Sequence, residues 1–191
     1  MTESKNKEVQ NDECICFKPI GIVRNRSQDA SWGETLQALP WEERAARMRE
    51  QTRGISEIII NPELADGLDR IEEYSHLQVL YYPHLVPEER RTKPVLKVRP
   101  LGSRHFPLVG VLATRSPIRP NSILVTTVRL LKRNGTILEV SGLDALDGSP
   151  VLDIKPGMAE QTDGAPMTIP DWMKQVNEQF ISENTTAPGT K

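Results

Sequence analysis

The chain has 191 residues, of which 37% are hydrophobic and 26% charged, enough for one globular domain with a sizeable core and too polar for a fibre or a membrane protein. No apolar run approaches the roughly 20 residues needed to span a bilayer, and the first thirteen residues, MTESKNKEVQNDE, are unlike a signal peptide, so a cytoplasmic protein without a membrane partner is expected. The formal net charge of −2 hides an asymmetry: from His84 to Arg133 eleven Lys or Arg face two acids, Glu88 and Glu89, which suits either an anionic partner such as RNA, a phosphate or a carboxylated cofactor, or a solvated basic face.

Residues 1–13 carry no apolar pattern and are expected to form a disordered tail. Cys14 and Cys16 are the only cysteines. They are too few for a four-ligand metal site, and they read as reduced thiols entering the first strand, with a C-x-C metal pair as the other reading; no metal is expected. CICFKPIGIVRN reads as that strand, with Ile15, Phe17, Ile20 and Ile22 apolar. Residues 28–54 form an insertion whose second part, PWEERAARMREQ, opens on a proline suited to a first helical turn, so a helix is expected from about Pro40 to Arg53.

ISEIIINPE is strand-like, PELADGLDRIEEY spaces Leu64, Leu68 and Ile71 at helical intervals, and HLQVLYYPHL is strand-like again up to Pro83. VGVLATR reads as a strand, SILVTTVRLLKRNGTILEVSGL as two strands joined at Asn134-Gly135, and PVLDIKP as a last strand. Six or seven strands with short connections favour a mainly β, antiparallel and closed sheet over a doubly wound fold. No G-x-G-x-x-G or G-x-x-x-x-G-K-[ST] supports a Rossmann or P-loop site. In the C-terminal extension, residues 161–191, Trp172, Val176 and Phe180 recur at i, i+4, i+8, which predicts a short helix over 170–180 lying on the barrel as a lid or latch.

Three clusters carry chemistry. In ATRSPIRPNSIL, residues 113–124, Arg115 and Arg119 flank SPI while Pro117 and Pro120 fix φ and remove backbone donors, so the segment is expected to be a rigid arch rather than a central strand. An arch presenting guanidiniums can grip a carboxylate or phosphate with little loss of entropy, or one arginine can pair with an acid such as Asp144 or Asp153. GLDALDGSPVLDIKP, residues 142–156, holds a tight turn at Asp147-Gly148. Asp144 can cap it, or the turn's backbone groups can hydrogen-bond the edge of an adenine ring, while Asp153 and Lys155 can neutralise each other on one strand face. His76 and His84 stand eight residues apart, too distant along a strand to share a metal ion.

The runs PIGIVRN, EYSHLQVLYY, VGVLATRSPIRPNSI and GLDALDGSPVLDIKP, in this order, resemble the TsaA-like domain, the family of the tRNA-adenosine N6-methyltransferase TrmO. The resemblance covers residues 17 to 157 and rests on ATRSP-x-RPN and LDG-[ST]-PV-x-DIKP. It implies a single-sheet antiparallel β-barrel with short peripheral helices, residues 14–160, that binds S-adenosylmethionine, works as a homodimer and methylates N6 of the N6-threonylcarbamoyladenosine beside the anticodon of tRNA. Carried over by position, it assigns the cofactor to Asn25, Arg26, Ser27, His84, Leu85, Arg115, Arg119, Ala145, Leu146, Asp147 and Gly148, and RNA contact to Arg99 and Arg104. Within that set Arg119 is expected to hold an anionic end of the ligand, the Leu146 to Gly148 backbone to read the adenine, and His84 to lie near the methyl-transfer path as the candidate catalytic residue. The chain departs from the family pattern at Ser122-Ile123-Leu124, where RPNPIG is usual, at Gly157, where a tyrosine often follows DIKP, and in the long insertion around Trp32 to Arg53. A same-fold methyltransferase with a non-RNA small-molecule acceptor and a non-catalytic ligand-binding barrel are the alternative readings.

Overall fold

The computed structural model describes residues 15–25, 39–93, 95–157 and 167–185. Six strands close into a barrel: β1 (Gly21–Arg24), β2 (Ile55–Ile60), β3 (His76–Tyr81), β6 (Leu124–Asn134), β7 (Ile137–Ser141) and β8 (Pro150–Pro156). Their order round the barrel is β1-β2-β7-β6-β3-β8, and every neighbouring pair is antiparallel. A separate two-stranded ribbon joins β4 (Lys97–Val98) to β5 (Val109–Gly110). Helices lie outside: α1 (Trp41–Arg53), α2 (Glu88–Thr92) and α3 (Asp171–Thr185), with 3₁₀ turns at Pro62–Leu68, Ile71–Glu73, Pro100–Gly102 and Val111–Ala113. Among the described residues no helix is long and apolar enough to cross a membrane.

Period-two alternation sets which face is buried. Ile58 and Ile60 from β2, Leu77, Val79 and Tyr81 from β3, Leu138 and Val140 from β7, with Val23, Val128 and Val151, fill the barrel interior. Each such aliphatic contributes about 1.5–3 kcal/mol on burial, so this interior is the main source of the barrel's stability. Outward positions such as Arg24 and Glu57, paired across β1 and β2, are charged.

Several expectations shift. The first strand is only Gly21–Arg24: Pro19 has no N–H to donate, and before the strand Ile20 donates its N–H to Val151 O at 2.8 Å while its carbonyl accepts the Asn61 N–H at 2.9 Å. VGVLATR gives two strand residues and then a 3₁₀ turn, as the Thr114 hydroxyl bonds the Val111 carbonyl at 2.8 Å and Thr114 N–H reaches the same oxygen. The β6–β7 turn sits one residue later than Asn134-Gly135: its centre is Gly135-Thr136, with φ +60° at Gly135, and Asn134 is the last residue of β6. Glycine first with only one positive φ is the type II′ requirement. α2 was not anticipated, although Pro87 before Glu88 and Glu89 is a helix-start signal.

The barrel has two unlike ends. At one, β1 ends at Arg24, β3 at Tyr81 and β7 at Ser141, while β2, β6 and β8 begin. At the other lie the Gly135 turn, the start of β3 and the C-terminal segment: Ser75 and Thr168 bond each other, N–H to O at 3.0 Å and Thr168 N–H to Ser75 Oγ at 2.7 Å. There Trp172 of α3 packs edge-on to Tyr74, 6.3 Å between ring centres, under the Arg70 guanidinium at 5.6 Å, and donates its indole N–H to Glu73. α3 is therefore a latch on the far end and no lid over the first one. Gly157 packs there too: a Cβ would fall 2.9 Å from the His76 carbonyl oxygen, so this backbone leaves no room for the tyrosine of the family pattern.

Candidate functional site

The segments singled out in the sequence leave the barrel at the first end, its mouth. Asn25 follows β1, His84 and Leu85 follow β3, the proline arch precedes β6, and Ala145 to Gly148 lie between β7 and β8. Antiparallel closure puts strand ends far apart in sequence on one rim.

The turn at Leu146–Ser149 is strapped to β1. Ser149 N–H closes it on the Leu146 carbonyl at 3.1 Å, Gly148 N–H donates to Val23 O and Val23 N–H to Ser149 O, both at 2.9 Å, and Asp147 Oδ1 accepts the Asn25 N–H at 2.7 Å. Gly148 has φ +76°, open to glycine at no steric cost. His84 lies over it: a Cβ at position 148 would stand 3.4 Å from His84 Nε2, and His84 Nδ1 faces Ser149 Oγ at 3.4 Å. Burial pushes the His84 imidazole below its usual range, with Asp147 opposing. The imidazole is therefore neutral near pH 7 and able to take a proton.

Two of the groups expected to read an adenine are thus committed within the protein, the Gly148 N–H and the Leu146 carbonyl. Leu146 N–H and Gly148 C=O have no partner among the described residues, which leaves one donor and one acceptor on the turn. Ala145 is buried and faces the core, Leu146 is half-buried, and Leu85 is exposed.

Hydroxyls build the arch as much as its prolines do. Thr114 Oγ1 accepts Ser116 N–H at 3.2 Å, Ser116 Oγ accepts Ile118 N–H at 3.3 Å, and buried Ser122 donates its hydroxyl to the Arg119 carbonyl at 3.3 Å. Such local side-chain bonds fix a turn at every second residue. Arg115 folds back and donates to Val125 O at 3.2 Å. The half-buried Arg119 guanidinium makes no ion pair among the described residues. Neither arginine pairs with Asp153, whose partner is Lys155 at 2.7 Å. Asp144 Oδ1 takes the Tyr81 hydroxyl at 2.7 Å and the Thr126 hydroxyl.

Of the expected residues, the structure brings Asn25, His84, Asp147 and Gly148 into direct contact and sets Arg115 and Arg119 on the same rim. Arg26 and Ser27 lie outside the described residues. Arg99 and Arg104 sit apart, exposed on the loop 99–106; Arg99 donates to Phe106 O at 2.6 Å, and Arg44 of α1 reaches the Leu101 carbonyl of the same loop. Ser149, Tyr81 and Thr126 were missed. Ser149 was legible as the residue after Asp147-Gly148; the other two pair with Asp144 across 63 and 18 positions, where no spacing rule reaches. Among the described residues no three His, Cys, Asp or Glu side chains converge as metal ligands. The hollow of about 700 Å³ beside Trp172, Gln175 and Val176 belongs to α3 and not to this mouth.

Residues 39–163 match the family described as the tRNA-methyltransferase O N-terminal domain. A probable S-adenosyl-L-methionine-binding protein of Methanothermobacter thermautotrophicus is 42% identical over 146 residues, 76% of this chain and 92% of its own. One of Pyrococcus abyssi is 38% identical over 146 residues, 76% of this chain and 70% of its own. A crystal structure of TrmO superimposes with a TM-score of 0.54 at 29% identity, over 80% of this chain and 62% of that one. The chain thus spans less than two thirds of the solved TrmO chain.

Proposed function

The chain belongs to the family of the tRNA-methyltransferase O N-terminal domain, and on that premise we propose that it is an S-adenosylmethionine-dependent methyltransferase acting on N6 of threonylcarbamoyladenosine next to the tRNA anticodon, in the cytoplasm and as a homodimer. The observation that carries this reading is the strapped glycine turn under a neutral imidazole, at the rim that also holds the arch with its unpaired guanidinium.

The mouth fits the methyl donor on three counts. A positive-φ glycine without Cβ gives a flat ring room beside the backbone; the Leu146 N–H and Gly148 C=O supply the donor and acceptor that an adenine edge requires; and Arg119, half-buried and held on a stapled arch, suits a carboxylate. The bound donor supplies a methyl group on a sulfonium, a leaving group needing little further activation. The protein's share is then positioning, which by itself can account for about 7–11 kcal/mol of a barrier. Asp147 and Asn25 hold the turn, Ser149 orients the His84 ring, and His84 stands near the transfer path as a neutral base.

Arg99 and Arg104 on the 99–106 loop, cross-braced to α1 by Arg44, are the proposed phosphate contacts. Support for a second copy comes from the apolar side chains left exposed on the stretches flanking that loop, Leu96 at 67%, Leu112 at 73%, Leu85 and Leu108. The test is to incubate the purified protein with methyl-labelled S-adenosylmethionine and tRNA from a strain lacking the gene. Label in the threonylcarbamoyl nucleoside supports the reading; consumption of the donor with cell extract but unlabelled tRNA favours a small-molecule acceptor.

A further inference from the structure

Among the described residues two that are not glycine sit in the left-handed region, Arg70 at φ +64° and Leu101 at φ +52°. That conformation costs free energy for any residue with a Cβ, and it persists only where its surroundings hold it. Arg70 supplies its own hold, since its guanidinium bonds Glu73 and lies over Trp172. Leu101 has no polar side chain with which to do so, and Gly102 beside it is left-handed too, at φ +66°. The bond comes from another element. Arg44 of α1 donates from one terminal guanidinium nitrogen to the Leu101 carbonyl and from the other to the Leu39 carbonyl at 3.0 Å. The first of these nitrogens lies 3.1 Å from where a Cβ on Gly102 would stand.

The left-handed pair lies in the tip of the β4–β5 ribbon, residues 99–108. Gly102 N–H donates to the Arg99 carbonyl at 2.9 Å and Ser103 N–H to the Pro100 carbonyl at 3.1 Å, which makes one tight turn. A second follows, in which buried Ser103 takes the His105 N–H on its hydroxyl at 3.2 Å and the Phe106 N–H on its carbonyl at 3.3 Å. The dihedral angles at residues 101 and 102 therefore set the direction in which the second turn, with Arg104, leaves the first, with Arg99. No acid stands between Arg90 and Leu138 in the sequence, and exposed Arg104 makes no ion pair among the described residues. Half-buried Arg44 is the opposite case, with both terminal nitrogens committed to carbonyls. The helix that carries it also reaches the mouth. Its thirteen residues make a rod of about 20 Å, with Arg44 near its start, and one residue past its end at Arg53 the chain enters β2 on the mouth rim.

Resting on the tRNA reading above, we infer that Arg44 is a positioning residue for the acceptor RNA: by holding the Leu101 carbonyl it keeps residues 101 and 102 left-handed, and the tip so held presents Arg104 and Arg99 to the phosphate backbone. α1 is then a strut between the mouth, where the methyl group is transferred, and the ribbon tip, where the RNA is gripped. A loop ordered before the RNA arrives loses less conformational entropy on binding, so the brace acts on acceptor affinity although Arg44 itself meets no phosphate.

The test uses the full chain with Arg44→Ala, Arg104→Ala and the pairs that combine Arg44→Ala with Arg104→Ala or with Leu101→Gly, each checked by thermal melting. Three readouts are taken: the calorimetric Kd for S-adenosylmethionine, the Kd for tRNA from a strain lacking the gene across salt concentrations, and hydrogen exchange of the Gly102 and Ser103 amides without RNA. Arg44→Ala should keep the donor Kd within about twofold, speed exchange of both amides, weaken tRNA binding roughly fivefold or more and lower its salt slope by about one. Arg44→Lys, which keeps the charge and loses the planar fork, should change in the same direction and serves where the alanine variant melts early. Arg104→Ala should cost less in the Arg44→Ala background than alone. Leu101→Gly, whose glycine takes the left-handed angles freely, should recover about twofold or more of the affinity that Arg44→Ala loses. An unchanged salt slope or unchanged exchange with Arg44→Ala overturns the assignment. So does a pair with Leu101→Gly that recovers nothing, which would reduce the contact to general packing. Absence of tRNA binding by the unsubstituted protein would remove the tRNA reading itself and this role with it, while exchange of the two amides would still report the brace.

Discussion

His84 and Gly148 come from loops 64 positions apart and meet face to face, with His84 Nε2 3.4 Å from where a Cβ on residue 148 would stand. The left-handed φ of +76° reserves position 148 for glycine, while a Cβ there would stand at ordinary van der Waals distance from the imidazole. Gly148→Ala is expected to destabilise the protein by about 1–2 kcal/mol, the cost of a non-glycine residue in the left-handed region, and to put a methyl group where the turn meets the ligand. Calorimetry should show donor affinity weakened at least tenfold, and an unchanged affinity would detach the turn from the cofactor.

Arg119 and Arg115 should separate in the same assay. Arg119 has no ion pair among the described residues and stands on a stapled turn, whereas Arg115 already donates to Val125 O. A charged hydrogen bond contributes about 1.5–3 kcal/mol, so Arg119→Ala should weaken donor binding roughly 10- to 150-fold and Arg115→Ala by much less. Equal losses would contradict the division.

How far the sequence reaches is visible in these two loops. The β-branched runs of β2 and the β6–β7 hairpin are legible because period-two burial and a glycine turn are local signals. The rim residues are legible one at a time, as a glycine after an aspartate or an arginine between prolines. Their meeting is not, because it depends on which strand ends share a rim, a property of barrel closure. The Tyr81–Asp144–Thr126 cluster has no local signature at all, and VGVLATR misleads because a threonine hydroxyl captures a carbonyl that a strand would have paired.

His84 and His76 both lie below the usual imidazole range, through burial, with Asp147 opposing at His84 and Arg129 adding at His76. Between each lowered folded value and about 6.5 the unfolded chain binds more protons than the folded one, so stability rises with pH across that window and is lost as pH falls through it. Melting temperatures should drop from pH 7.5 to pH 5, and His84→Asn should flatten part of that slope. An identical slope in the variant would show that His84 is solvated when charged.

Trp172 offers the contrasting variant. Its ring contacts with Tyr74 and Arg70 and its bond to Glu73 tie α3 to the end of the barrel away from the mouth. Trp172→Ala should lower stability by about 1–3 kcal/mol and leave donor affinity within twofold. A large loss of affinity would mean that the two ends are coupled.

For RNA, Arg104→Ala should weaken tRNA binding and reduce the salt slope by about one. Arg99→Ala should do the same and also loosen its loop, because it releases the Phe106 carbonyl. A filter-binding titration across salt concentrations in which neither slope changes would move the RNA contact elsewhere.

A crystal structure with S-adenosylmethionine bound examines the assignment of the mouth with the least inference. The adenine edge should lie on the Leu146 N–H and Gly148 C=O, and the carboxylate within hydrogen-bonding distance of the Arg119 guanidinium. Density for the ligand in the hollow beside Trp172 and Val176, or anywhere other than the rim shared by β1, β3, β6 and β8, would contradict it.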